Sequence, residues 1–210
     1  MTTQVSRPLL IGLTGSIASG KSTVARRMKD SGIPVIDLDK VGHEVLRKRH
    51  EGFEPVVAAF GKGILGDDGE IDRRKLGAVV FSDPAARERL NAIVHPKIRE
   101  EEARRIAAMA DSGVTAVATE AALLIETGQR DRFDFFVVVG CDPEIQVARI
   151  MKRDRSTEAD ARARVAAQMS FEEKRKVADR VIDTSGTMDE TLLAADRLIE
   201  EIRERASARA

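Results

Sequence analysis

The sequence predicts an α/β fold, a parallel sheet with helices on both faces, and three observations carry that expectation. Apolar runs of strand length alternate with stretches of helical periodicity, as β-α-β units require. The first run, Leu9–Leu13, leads through a glycine-rich loop directly into a helical pattern. The later runs end in polar residues at their carboxyl ends, where open sheets of this class place ligands.

Leu9-Leu10-Ile11-Gly12-Leu13 reads as a buried strand. After it, Gly15-Ser16-Ile17-Ala18-Ser19-Gly20-Lys21-Ser22 completes a G-x-x-x-x-G-K-[ST] pattern, and Ser22-Thr23-Val24-Ala25-Arg26-Arg27-Met28 reads as a helix. The glycines let the backbone curl so that successive N–H groups face a β-phosphate. Lys21 adds a point charge for the β- and γ-phosphates, and the Ser22 hydroxyl can ligate Mg²⁺. The stretch Gly15 to Thr23 therefore reads as the binding loop for a nucleoside triphosphate.

Asp30-Ser31-Gly32 stops the first helix, glycine being the usual residue just past a C-terminus. Ile33 to Asp37 then reads as a short second strand, with Pro34 near its start where proline is tolerated. The stretch from 40 to 110 is mostly helical and too long for a simple crossover, so it is expected to be an inserted substrate-binding region. Within it, Gly61 to Gly69 is a turn-rich break around Asp67-Asp68-Gly69. Asp83-Pro84 opens a helix to Val94, and His95-Pro96 separates that helix from another, Lys97 to Met109. Asp111-Ser112-Gly113 ends the second of these. Val114 to Thr119 and Phe135 to Gly140 read as the third and fourth strands. Asp142-Pro143 opens a helix through Arg153, and Val181 to Asp183 is a last strand before an amphipathic helix from Met188 to Arg205.

Lys+Arg and Asp+Glu both number 35, so a nucleic-acid partner has no support from net charge. The single cysteine, Cys141, follows an apolar run and reads as a buried small hydrophobe, which fits a reducing compartment. No run reaches the roughly 18 apolar residues of a membrane span, and no signal-peptide stretch precedes the first strand. A cytoplasmic enzyme with neither membrane nor nucleic-acid partner is the expectation.

Three polar groups can carry chemistry. Asp37 and Asp39, beyond the second strand, can orient an acceptor hydroxyl and assist its deprotonation, or cap a helix. Arg149 and Arg153 lie four apart on one helical face, with Arg155, Arg162 and Arg164 nearby. Such a cluster can close over ATP and neutralise charge during phosphoryl transfer, or it can be a solvated face paired with Asp154 and Glu158. With few apolar neighbours to pin it, the stretch 149–168 is expected to be a mobile lid. Arg73, Arg74 and His95 lie in the helical insert and suit an anionic substrate. An acceptor-phosphorylating kinase and a nucleotide-gated binding protein both remain open on these residues alone.

The pieces also match a known family in order. They are Gly12-Leu13-Thr14-Gly15, Val35-Ile36-Asp37-Leu38-Asp39, Asp72-Arg73-Arg74-Lys75-Leu76 with Val80-Phe81, and Leu90-Asn91-Ala92-Ile93-Val94-His95-Pro96-Lys97-Ile98. After these come Leu123-Leu124-Ile125-Glu126, Gln146 with Arg149 and Arg153-Asp154, then Gln168 and Ala178-Asp179-Arg180-Val181-Ile182-Asp183. Over essentially residues 9–200 the chain resembles the dephospho-CoA kinase family. The resemblance implies a P-loop NTPase fold like that of nucleoside-monophosphate kinases, as a single domain over 1–210 with an acceptor-binding insert at 40–110 and an arginine-bearing lid at 149–168. It implies phosphorylation of the ribose 3′-hydroxyl of dephospho-CoA by ATP with Mg²⁺ on Ser22; the alternative is a nucleoside or nucleoside-monophosphate kinase. Asp39 becomes the catalytic carboxylate, Lys21, Arg149 and Arg153 act on the phosphates, and Asp37, Arg73 and His95 stand on the acceptor side. Ala122, Ile125 and Thr184 occupy positions where the family usually carries Pro, Phe and Asn.

Overall fold

The computed structural model describes residues 7–209. In chain order it holds β1 (Leu9–Thr14), α1 (Lys21–Asp30), β2 (Val35–Asp37), α2 (Leu38–Glu44), α3 (Phe53–Phe60), α4 (Arg73–Ser82) and α5 (Pro84–Asp111). These are followed by β3 (Ala116–Glu120), β4 (Phe135–Gly140), α6 (Pro143–Asp154), α7 (Glu158–Ala166), α8 (Phe171–Arg175), β5 (Arg180–Asp183) and α9 (Met188–Ser207). The chain divides into two compact units, one of residues 1–36 with 109–210 and the other of residues 37–108.

The first unit is built on the sheet, whose strand order is β2-β3-β1-β4-β5. β1 pairs in parallel with both β3 and β4, and β4 with β5. Central strands buried on both faces need near-continuous apolar sequence, and all six residues of β4, FFVVVG, are buried. One face carries Ile11, Leu13, Val137 and Val139 against Val24 and Met28 of α1 and Leu198, Ile199 and Ile202 of α9. The other face meets the rings of Phe133 and Phe136, whose centroids lie 5.9 Å apart. Gly12 makes that approach possible, because a Cβ there would lie 2.5 Å from the Phe136 ring.

Two strands start later than their apolar sequence suggests, for one reason. At the end of α1, Gly32 takes a left-handed φ of 85°; its amide donates to the Lys29 carbonyl, and the Ile33 amide donates to the Met28 carbonyl. The same pair of bonds recurs after α5, from Gly113 to Ala110 and from Val114 to Met109. This is the Schellman stop, and it consumes the amides of Ile33 and Val114 before the sheet can use them. Pro34 has no N–H, so β2 begins at Val35.

In the second unit α2 to α5 enclose a core that includes Leu38, Val41, Phe53, Val56, Leu76, Val80 and Val94. Leu65 bridges Ile71 across the Asp67-Asp68-Gly69 turn, and Gly69 supplies the positive φ, 74°, that the turn requires. Asp72 caps α4 by accepting from the Arg74 and Lys75 amides. The expected break at His95-Pro96 is absent: α5 runs unbroken from Pro84 to Asp111 with Pro96 inside. A proline within a helix forfeits one hydrogen bond and crowds the preceding turn, costing about 3 kcal/mol. Packing on both sides of Pro96 outweighs that cost. Val94 is buried, Ile98 reaches within 3.2 Å of where a Cβ on Gly42 would stand, and Arg105 pairs with Glu44 and Glu101.

Asp134 joins both ends of the first unit. Its carboxylate accepts from the Leu10 amide and from Arg7, and Arg209 lies 2.8 Å away. Burial alone would raise its pKa, but Arg209, the Leu10 amide and Arg7 together hold it well below the usual carboxylate range. A lowered folded-state pKa stabilises above the unfolded value, near 3.9, and that contribution is lost as pH falls towards the folded value. Asp134→Asn should therefore cost about 1.5–3 kcal/mol at neutral pH. Urea unfolding should show the deficit narrowing below about pH 4.

Candidate active site

The glycine-rich loop leaves β1 at Thr14 and enters α1 at Lys21, with Gly20 at the helix N-cap in left-handed conformation, φ 81°. No side chain caps that N-terminus, so its first amides and the positive end of the helix dipole are presented to an anion. Gly15 is required by the sheet: a Cβ there would sit 2.3 Å from the Val139 carbonyl oxygen. Ala18, also at positive φ, 56°, forms the outer bend.

Two glutamines hold the outer flank of the loop. Gln168 Oε1 accepts from the Ile17 amide at 2.7 Å, and Gln146 Nε2 donates to the Ile17 carbonyl at 2.8 Å. Ser16 Oγ adds a bond to the Met169 carbonyl. The resemblance included both glutamines but gave them no task; here they hold the amide and the carbonyl of one residue, Ile17.

Lys21 Nζ lies 3.1 Å from Glu120 Oε2, and both side chains are largely buried. Glu120 is the last residue of β3, in register with Leu13 of β1, so its carboxylate stands at the carboxyl end of the sheet. The sequence reading missed Glu120. The apolar run stops at Thr119, one residue short of the end of β3; a carboxylate closing a strand is the same signal that marks Asp37 and Asp39. Just beyond it, the Ala122 carbonyl accepts from Thr14 Oγ1 at 3.2 Å.

Arg149 meets the loop directly. Its guanidinium donates to the Ala18 carbonyl at 3.3 Å, to Thr184 Oγ1 at 3.1 Å and to the Thr184 carbonyl at 2.7 Å. Thr184 is buried just past β5, and its hydroxyl donates to the Ser19 carbonyl at 2.8 Å. Loop, helix and final strand are thereby fastened at one point. Cys141 lies in the same place; burial raises its thiol pKa against the opposing charge of Arg149, so it stays protonated as the small buried group it was read to be.

The stretch 149–168 differs from the expected unpinned lid. Val147, Ile150 and Ala161 form an apolar cluster with Val165 and with Ile17 and Ala18 of the loop itself. Three of its arginines are paired: Arg162 with Glu144 and Glu158, and both Arg153 and Arg164 with Asp154. Local arginine pairs hold Asp154 well below the normal carboxylate range, Arg153 first and then Arg164. The pairing with Asp154 and Glu158 is the one the sequence offered as its alternative; Glu144, at the start of α6, is the partner that spacing did not show. Arg149 thus reaches the loop while Arg153 is engaged by Asp154.

The remaining candidates lie in the second unit. Asp37 is the N-cap of α2, accepting from the Lys40 amide at 3.1 Å, and Asp39 is exposed in the first turn of that helix. Arg73 opens α4, and His95 is exposed on α5 one residue before Pro96. Among the described residues no group of three or more His, Cys, Asp or Glu is arranged to hold a metal ion, and no helix is long and apolar enough to cross a membrane.

Residues 9–190 match the family model for dephospho-CoA kinase. The dephospho-CoA kinase of Geobacillus kaustophilus is 48% identical over 183 residues, 87% of this chain and 91% of that protein. A crystal structure from Thermus thermophilus superposes with a TM-score of 0.82 at 35% identity, covering 93% of this chain and 98% of that one. The dephospho-CoA kinase structure from Campylobacter jejuni gives 0.71 at 29% identity, covering 93% and 97%.

Removal of the arginine clasp gives a direct test of what holds the loop. Arg149→Met deletes the charge-assisted bonds to Ala18 and Thr184, each of a kind worth about 1.5–3 kcal/mol. Calorimetric titration should show affinity for an ATP analogue falling by about tenfold or more. Unchanged affinity with a lowered turnover would assign the arginine to the transferring phosphate rather than to the loop.

Proposed function

The chain belongs to the dephospho-CoA kinase family, and on that footing we propose that it transfers the γ-phosphoryl group of ATP to the ribose 3′-hydroxyl of dephospho-CoA, the last step in making CoA, in the cytoplasm. The observation that carries this reading is the match to the family over nearly the whole chain, which reaches beyond the phosphate loop to the insert and the final strand.

Phosphoryl transfer passes through a loose transition state that needs alignment and charge neutralisation more than covalent chemistry. The loop from Gly15 to Thr23 holds the phosphates through its amides. Lys21, kept near the carboxyl end of the sheet by Glu120, supplies positive charge to the β- and γ-oxygens. Arg149 keeps the loop in its binding shape, and Arg153 adds charge once it exchanges Asp154 for phosphate. Asp39 aligns the acceptor hydroxyl and takes its proton, with Asp37 fixing the helix turn that presents it; Arg73 and His95 bind the anionic acceptor. Hard oxygen donors suit Mg²⁺, which fills its remaining positions with phosphate oxygens and water, and the Ser22 hydroxyl at the start of α1 is the donor offered here. When bound, that ion would neutralise charge between the β- and γ-phosphates.

The test is ADP release measured across a panel of acceptors. Turnover should depend on dephospho-CoA and show no response to nucleoside monophosphates; the reverse pattern would replace this reading with a nucleoside-monophosphate kinase. Two variants probe the roles. Lys21→Ala should lower kcat/KM by about 10²-fold or more while remaining folded, a loss of the size seen when one preorganised electrostatic group is removed. Asp39→Asn should keep ATP binding and lose most of its kcat; if Asp37→Asn is the damaging change instead, the two carboxylates exchange roles.

A further inference from the structure

Lys174 is completely buried, a rare condition for a lysine. It lies on α8, and its ammonium is 2.9 Å from the Ala122 carbonyl and 2.9 Å from Glu126 Oε1. Burying a charge costs stability even when it is paired, and replacing both members of a buried pair with well-packed apolar side chains is commonly neutral or stabilising. Stability alone therefore does not account for an ammonium at this position. What it touches does.

The Ala122 carbonyl has two donors, Lys174 Nζ from α8 and Thr14 Oγ1 from the end of β1. One residue earlier, the Ala121 amide donates to the Leu13 carbonyl; one earlier again, Glu120 holds Lys21. The turn leaving β3 is thus fixed from both sides immediately beyond the carboxylate that positions the phosphate-loop lysine. Its outer part carries Glu126, the partner of the Lys174 charge.

The other end of this fastening is equally well set. α8 begins with a reciprocal capping box between Ser170 and Glu173. Phe171 lies over Gly140 of β4, where a Cβ would come within 2.0 Å of its ring. Just upstream, Gln168 and Met169 bond to Ile17 and Ser16 of the phosphate loop. Residues 168–174 therefore grip the phosphate loop at one end and the turn after β3 at the other.

We propose that Lys174 is a positioning residue for phosphoryl transfer: paired with Glu126, it sets the turn at 121–126 against the phosphate loop and so fixes Glu120 and, through it, Lys21. The proposal rests on the kinase reading above for its kinetic consequence but not for its structural one.

Lys174→Met keeps the length of the side chain and removes the charge. In the full-length enzyme it should leave KM for ATP within about threefold and lower kcat by about tenfold or more, with hydrogen exchange rising at the amides of 121–126. Glu126→Leu, at the more accessible partner, should shift both measurements in the same direction. The double variant should be no worse than Lys174→Met alone, because both changes release one turn. Wild-type turnover on dephospho-CoA, measured alongside, tests the kinase reading separately, and hydrogen exchange reads the fastening whatever the acceptor. Normal kcat in Lys174→Met overturns the proposal, as does a lowered kcat with unchanged exchange at 121–126. If that variant does not fold, Glu126→Leu decides by the same two measurements.

Discussion

The phosphate loop has to leave β1 against the backbone of β4, and the first unit is organised around that close passage. At Gly15 the space beside the Val139 carbonyl admits no side chain. From there the loop must turn back on itself to begin α1 with its amides outward, which calls for the left-handed conformations of Ala18 and Gly20. Such a loop has few internal bonds of its own, so its shape is imposed by neighbours. Gln146 and Gln168 hold Ile17, Arg149 and Thr184 hold Ala18 and Ser19, and Ser16 is tied to Met169. Preorganisation of this kind places hydrogen-bond donors before the charge they meet develops, which is where electrostatic catalysis gains most.

Charge is distributed to serve the same end. Lys+Arg and Asp+Glu are equal in number, and many of the arginines are matched close by: Arg27 with Asp196, Arg130 with Asp179, Arg180 with Glu201. Exposed pairs of this sort add little stability, but they fix side-chain directions. Asp179 shows the point, since the carboxylate that takes Arg130 also accepts from the Phe136 amide and fixes where β5 begins beside β4. Against this matched background, Arg149 is turned to the backbone carbonyls of Ala18 in the phosphate loop and of Thr184.

The sequence made the frame legible because its signals are local. The glycine-lysine-serine pattern, the apolar strand runs and the Asp-Ser-Gly stops each depend on residues within a few positions, and each appears in the structure. The strand starts were harder, since only the hydrogen bonds reveal that Ile33 and Val114 are already committed to the helix stops. Pro96 misled for a related reason: its cost is local, whereas the packing that overrides it comes from α2. Glu120 was readable from its place at a strand end. Lys174 was not, because nothing in Phe171-Glu172-Glu173-Lys174-Arg175 distinguishes the buried lysine from its solvated neighbours; burial is decided by the turn after β3. The arginines of 149–168 and their partners Asp154 and Glu158 were visible, but Glu144 and the apolar footing on Ile17 and Ala18 were not.

The repeated Asp-Ser-Gly stop has a consequence for how such a chain can change over time. β2 and β3 are neighbours in the sheet, yet about eighty residues lie between them. Each strand begins three residues after its glycine, Gly32 before Val35 and Gly113 before Ala116. Entry into the sheet is thus set by two identical local joints and is indifferent to the length or content of what intervenes. Mutation can lengthen, shorten or reshape residues 38–108 without moving a strand pairing, so the smaller unit is free to diversify while the unit that carries the glycine-rich loop stays fixed.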